Sequence, residues 1–226
     1  MEYNIKNIDF QIIIRGFHIE WTKEVKVLQS KNDTVNKQVQ RTREWVFGAL
    51  LFLLDTIPYD ELKISSITEK AGVARQTFYR NYKSKDDIII TYMDDLFREY
   101  RNRVHNAADK HPSKIYVLMF QLMMEQRNAL TKIKNAKLDY LLYEHFYNYN
   151  KFFLEKMLQN EADRSSLYDI YSIKYQIGGA ATIMLEWIKQ DMPLAPEEIG
   201  NIVYEASRHF QDQDGYIPNI LSKMDK

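Results

Sequence analysis

From Lys37 onward, apolar residues return at helical spacing in one segment after another. Val39, Val46, Ala49, Leu50 and Leu53 share one face of a helix predicted from Asn36 or Lys37 to Thr56. Its rear half, WVFGALLFLLDT, is apolar nearly all round and predicts burial by several neighbours. Pro58, with Tyr59 and Asp60, breaks it. A short helix follows at about 64–71, and Gly72 is placed to end it with a left-handed cap. A second short helix is predicted from Arg75 to Tyr82. Ile88, Ile89, Tyr92, Met93, Leu96, Phe97 and Tyr100 then mark a long amphipathic helix to about Ala107, broken at His111-Pro112. Further helices are predicted at about 113–130, 136–160, 166–190 and 196–210, with breaks at Asn135, at Ala162-Asp163, and at Pro193 with Pro196. No strand pattern follows residue 37.

Residues 1–36 are patterned differently. Ile8, Phe10, Ile12 and Ile14 alternate as in a weak strand, and Trp21, Val25 and Leu28 fall on one face of a short helix. KNDTVNK at 31–37 reads as a polar linker. The expected organisation is an amino-terminal extension (1–36), a DNA-sized three-helix domain (37–84), a larger helical domain (85–210) and a carboxy-terminal tail (211–226). The fold class is all-α.

Composition narrows the function. With 45% hydrophobic and 27% charged residues, the chain is ordinary globular material. It has no cysteine, which excludes disulfides and thiolate-held metals. The 31 basic and 31 acidic side chains balance, which argues against a histone-like packer but leaves room for a local basic face. The longest apolar run, Val46 to Leu54, is far short of the roughly 20 residues that span a bilayer. The first residues lack the pattern of a secretion signal, so a cytoplasmic protein without a membrane partner is expected. No phosphate-binding Gly loop, nucleophile elbow or His-Glu metal motif stands in the chain. Catalytic residues, metal ligands and cofactors are therefore not expected. His105, Asp109 and His111 straddle a helix end and lack the spacing of a metal site.

Two short helices joined by a tight turn containing Gly have the layout of a helix-turn-helix, whose second helix enters the DNA major groove. Ile64, Ile67, Ala71, Val73 and Phe78 supply an apolar seam between them. The second helix offers Arg75, Gln76, Thr77, Tyr79, Arg80 and Asn81, donors long enough to reach bases or phosphates. From Lys63 to Lys85 there are six basic residues (Lys63, Lys70, Arg75, Arg80, Lys83, Lys85) and one acidic residue, Glu69. That balance predicts a phosphate-facing surface.

KISSITEKAGVARQTFYRNYKSKDDI resembles the DNA-binding signature of the TetR/AcrR family of bacterial regulators. Ala71, Gly72, Val73, Thr77, Phe78, Tyr79, Tyr82, Ser84 and Lys85 match it at fixed spacing. The resemblance implies that Thr42, Thr77, Tyr79 and Lys85 contact phosphate or sugar and that Arg75 and Gln76 read bases. Ala74 departs from it, standing where Ser usually caps the recognition helix. Gln76 and Asn81 depart as well, which bears on base preference and not on binding mode.

YQIGGAATIMLEWIKQDMPLAPEEI at 175–199 resembles the carboxy-terminal region of a TetR subgroup that includes regulators of dihydroxyacetone kinase genes. Independently, Ile170, Ile173, Ile177, Ala180, Met184 and Trp187 recur as on a helix packed against others. Gly178 and Gly179 inside that helix suggest a close backbone approach. A dimer interface through Ile173, Ile177, Gly178, Ala181, Met184 and Trp187 is expected, with an intrachain core as the alternative. YLLYEHFYNYNKFF at 140–153 is rich in aromatics. Tyr143, Phe146 and Tyr147, with His145 as a polar anchor, could line a small-molecule pocket, although such stripes are more often core. The expectation is a homodimeric repressor on a palindromic double-stranded operator, relieved by a small-molecule effector. The alternatives are a coactivator answering to a protein partner and a helical interaction module that does not bind DNA.

Overall fold

The computed structural model describes residues 33–108, 111–148 and 167–212. The alternating stretch at 8–14, the Trp21–Leu28 face, Tyr149, Phe152, Phe153 and the tail lie outside them. Among the described residues the chain is helical throughout, in line with the all-α expectation. Helix α1 spans Asp33–Leu53, α2 Ile64–Ala71, α3 Arg75–Asn81 and α4 Asp86–Asn106. Then come α5 Pro112–Glu125, α6 Arg127–Asn135, α7 at 139–148, α8 Leu167–Lys189 and α9 Pro196–Asp212. A 3-10 turn, Tyr59–Glu61, links α1 to α2.

Two boundaries differ from the sequence pattern. Helix α1 already includes residues 33–36, read above as linker. Those residues contain no Gly or Pro, and Asp33 is favourably placed near the positive end of the helix dipole. The helix predicted at 113–130 is two helices, α5 and α6, hinged at Gln126 (φ −95°, ψ 12°). Neither Gly nor Pro marks the hinge. Its side-chain carbonyl instead accepts a 2.9 Å hydrogen bond from the Tyr92 hydroxyl of α4, a tertiary contact.

One core runs through the molecule. Val46 and Leu50 of α1, Ile67 of α2, Phe78 of α3, and Ile88, Ile89, Met93 and Phe97 of α4 are essentially inaccessible to water. The same core continues through Leu122, Met123, Leu130, Ile133 and Leu142 into Ala181, Met184, Trp187 and Ile188 of α8. Helices α5 and α9 lie closest. A Cβ on Gly200 of α9 would come within 2.8 Å of the Val117 backbone in α5, so only glycine fits there.

The amino-terminal helices are tied to the rest through Phe47, Arg43 and the Leu51–Asp55 end of α1. Phe47 of α1 stacks on Tyr92 with ring centres 3.9 Å apart. Arg43 of α1 lies 3.7 Å from Asp95, which also pairs with Arg98 at 2.7 Å. Lys132 of α6 donates to the Asp55 carboxylate at 2.6 Å and to the Leu51 carbonyl at 3.3 Å. Lys134, on the same helix, reaches Asp191 at 2.5 Å beyond the end of α8.

Candidate nucleic-acid interface

The turn between α2 and α3 is built from the backbone. Gly72 adopts φ +65°, which a side chain would disfavour. Its N–H donates to the Glu69 carbonyl at 3.1 Å, and the Val73 N–H donates to Thr68 at 3.0 Å. These two bonds close the end of α2 as a Schellman motif. Ala74 then opens α3 with no side-chain cap. At the far end, Ser84 Oγ accepts from the Asp87 N–H at 3.2 Å, and the Asp87 carboxylate accepts from the Lys83 N–H at 2.8 Å. These two bonds tie residues 83 and 84 to the first turn of α4.

Phe78 decides what α3 shows to solvent. It is wholly buried, with Tyr82 buried one turn later and their rings 5.2 Å apart. Burial pushes the Tyr82 phenol well above its usual range, so it stays neutral. With Phe78 inward, Gln76 and Arg80 lie one turn apart on the opposite side, and Arg75 and Tyr79 lie one turn apart on its flank. All four are exposed; Tyr79, at 53%, is unusually open for an aromatic residue. The structure therefore leaves these four side chains of α3 open to solvent, and Lys63, just ahead of α2, and Lys83, just after α3, are exposed as well.

The remaining candidates are placed differently. Thr77 and Asn81 are partly buried. The Thr77 hydroxyl accepts from Arg80 at 3.1 Å, and the Asn81 amide donates to the Thr77 carbonyl at 2.7 Å. Thr42, expected to touch phosphate, is only 8% exposed, and its hydroxyl donates back to the Gln38 carbonyl at 3.0 Å. It is a helix-wall residue. Lys85, also expected at phosphate, turns inward. Its ammonium donates to the Tyr59 carbonyl at 2.5 Å, lies 3.4 Å from the Leu62 carbonyl, and sits 4.3 Å from the centre of the Tyr59 ring. The Tyr59 hydroxyl in turn donates to Asp86, and burial together with that bond raises its pKa strongly. Lys85 thus ties the 3-10 turn to α4. Lys70 is engaged as well, 3.5 Å above the Phe52 ring.

The candidates farther along the chain divide by helix face. On α7, Tyr143 and Tyr147 stack on each other, exposed, with ring centres 6.3 Å apart. Phe146 is buried against Phe97 of α4, and His145 Nε2 lies 3.1 Å from the Asp94 carboxylate. The four residues expected around one pocket are therefore split, with His145 and Phe146 packed toward α4 and the two tyrosines open to solvent. On α8, Ala181, Met184 and Trp187 are buried inside this same chain. Trp187 packs edge-on against Phe120, and its indole N–H donates to the Leu194 carbonyl at 3.1 Å. Those three are core residues, which corrects their reading as contacts to a second subunit. Ile177 and Gly178 are partly exposed, and a Cβ at Gly178 or Gly179 would meet nothing within 4 Å in this chain. The side chain of Ile173 lies outside the described residues. The open face of α8 instead carries Tyr171 and Tyr175.

Sequence reasoning missed Lys132, which braces the end of α1, and Gln126, which accepts from Tyr92 of α4. Their partners lie 77 and 34 residues away, so no local pattern could mark them. No group of three or more His, Asp or Glu side chains among the described residues could hold a metal ion. No helix among them is long and apolar enough to cross a membrane.

Comparison with known proteins agrees with this arrangement. Residues 53–91 match the family described as bacterial regulatory proteins, tetR family. Residues 110–209 match a transcriptional regulator C-terminal region. The HTH-type transcriptional regulator EthR of Mycolicibacterium smegmatis is 28% identical over 61 residues, covering 27% of this chain and 28% of that protein. Among solved structures, the dihydroxyacetone kinase operon activator DhaS shares the fold at a TM-score of 0.50 and 16% identity. The match covers 74% of this chain and 93% of DhaS. The fatty acid degradation regulator FadR from Bacillus halodurans gives a TM-score of 0.49 at 15% identity, over 83% of this chain and all of FadR. The helix-turn-helix geometry and the two family matches, which together take in more than half of the sequence, lead to one assignment: the chain belongs to the TetR family of transcriptional regulators.

Proposed function

We propose that this regulator grips a palindromic double-stranded DNA operator as a homodimer and represses transcription until a small-molecule effector releases it. The outward face of α3 carries the proposal. Arg75 and Gln76 are exposed side by side and suit bidentate contacts to guanine and adenine. Tyr79, Arg80, Lys63 and Lys83 supply the polar and cationic surround for phosphates. The open stripe of α8, with Tyr171, Tyr175 and the two glycines, supports pairing with a second copy, and Ile202 of α9 is exposed as well. His145 and Phe146, turned toward α4, mark where an effector would act on the helix that follows the DNA-binding domain.

A second reading, a coactivator that takes its signal from a protein, is favoured by one observation. Tyr140, Tyr143 and Tyr147 form an exposed stripe on α7, available to a partner and not to an enclosed ligand.

Gel shifts with DNA from just upstream of the protein's own gene test the first reading. Tyr79→Ala should weaken binding to every sequence. Arg75→Ala should mainly relax base choice, by about 1–3 kcal/mol per lost contact. Binding indifferent to both substitutions rejects the assigned surface. Release by a small molecule supports the effector, whereas release or recruitment only by a protein supports the second reading.

A further inference from the structure

The outer side of α1 carries Trp45 and Phe52 on one helical stripe, with Gly48 between them. Trp45 is 57% exposed and Phe52 54%, although Val46 and Leu50 of the same helix are wholly buried. Beside the stripe lies an open groove of about 470 Å³, lined by Glu44, Trp45 and Gly48 of α1 and by Lys70, Ala71 and Gly72 at the end of α2. A Cβ at Gly48 would meet nothing within 4 Å. Glu44 accepts a 3.4 Å hydrogen bond from Gln40, and the Lys70 ammonium lies 3.5 Å from the centre of the Phe52 ring. Neither charge has an ion-pair partner among the described residues.

This pattern is complementary to itself. Gly48 stands three residues after Trp45 and four before Phe52, so the two aromatic residues flank it at about 4.5 and 6 Å along the helix. A two-fold axis crossing α1 at Gly48, at right angles to the helix, pairs it with a second copy running antiparallel. Trp45 of each copy then falls beside Phe52 of the other. Gly48 occupies the crossing point, where the lack of a side chain lets two backbones approach closely. The charges obey the same operation. Glu44 adjoins Trp45 at one end of the stripe, and Lys70 lies over Phe52, about 12 Å farther along. Both line the same groove and so lie on the same side of α1. The two-fold axis therefore sets Lys70 of each copy against Glu44 of the other. The face is small beside the roughly 800 Å² that each partner of a stable interface buries. The contact is accordingly weak, and its charges fix register more than they add affinity.

We propose that two copies of this chain associate through the outer side of α1, antiparallel about Gly48, with Trp45 against Phe52 and Glu44 against Lys70. This contact is separate from the α8 pairing. Where that pairing also holds, which rests on the function proposed above, the α1 contact joins one dimer to the next.

The test is thiol crosslinking of the full-length protein at high concentration, read on a denaturing gel. Gly48→Cys places the sole thiol of a cysteine-free chain at the axis, where it must meet its own copy. A short bismaleimide should convert this variant to covalent dimers. Adding Glu44→Lys or Lys70→Glu opposes like charges and should cut the yield severalfold. The two reversals shift net charge in opposite directions, so bulk repulsion does not explain a fall in both. Both residues are exposed, so neither reversal disturbs the core. Combining them restores opposite charges and should recover the yield. Absence of crosslinks overturns the proposal. So does a yield indifferent to the single reversals, or one that the combination fails to restore. Tyr175→Glu separates the two faces. Crosslinked protein should sediment as more than two chains with Tyr175 intact, and as two with Tyr175→Glu. Two chains in both cases would reject the α8 pairing and leave the α1 contact standing.

Discussion

Helices α3 and α8 were read from sequence with different success, and the difference lies in how much of each helix's circumference is apolar. Helix α3 is seven residues long and buries one anchor, Phe78, against the α1 and α2 side. Once Phe78 is inward, helical geometry sends Gln76 and Arg80 to the opposite side, and Arg75 and Tyr79, which flank Phe78, stay exposed beside it. Helix α8 runs for 23 residues and is apolar on more than one face. Both an intrachain core and an interface with another subunit suit its spacing. Packing against Phe120 and the loop at Leu194 chose the face with Ala181, Met184 and Trp187, leaving Tyr171 and Tyr175 outside. A single-anchor helix reveals its exposed face in its sequence; a many-sided one does not.

The largest effect should come from removing the anchor of α3. Phe78→Ala empties a fully buried site and should cost roughly 3–5 kcal/mol, read as a fall in the urea midpoint. A loss below about 1 kcal/mol would mean that α3 is not held by the core, and the contrast with α8 would collapse. Gly200→Ala tests the carboxy-terminal packing. Crowding against the Val117 backbone costs on the order of 3 kcal/mol, offset by about 1 kcal/mol of better helix propensity, for a net loss of roughly 2 kcal/mol. Within α8, Trp187→Ala should lower the urea midpoint while leaving oligomeric state by light scattering unchanged. Tyr175→Glu should do the reverse. The opposite pattern would return Trp187 to an interface. The smallest effect should come from Thr42→Val, which removes a hydroxyl bonded only to its own helix. Stability should change by less than about 1 kcal/mol and operator affinity not at all. A tenfold loss of affinity would place Thr42 back at the DNA.

Much of the fold was legible because its boundaries are local. Gly72, Pro58, Pro112 and Pro196 act through the backbone of their own turns, and the helices start or stop beside them. The hinge at Gln126 was not legible, because Tyr92 of another helix stabilises it. Within the candidate site, the same division separates Arg75, Gln76, Tyr79 and Arg80 from Lys85. The first four depend on one helix and one anchor. Lys85 has a long side chain whose charge goes to the best available oxygens, and those belong to a turn about 25 residues earlier. Six cations clustered in sequence therefore have different surroundings in the fold. In the folded chain, Lys85 braces the 3-10 turn and Lys70 lies over Phe52, while Lys63, Arg75, Arg80 and Lys83 stay exposed.

The amino-acid sequence by itself determined that the chain is helical, where most helices end, and which side chains of α3 face away from the core. Each of these follows from torsional preferences and from spacing within about two turns. Only the tertiary structure decided which side of α7 and α8 became interior, where the Lys85 and Thr42 side chains found their hydrogen bonds, and where α5 gives way to α6. Those outcomes depend on which distant groups arrive within about 3 Å to satisfy a buried polar atom or fill a void, and spacing along the chain carries no record of that.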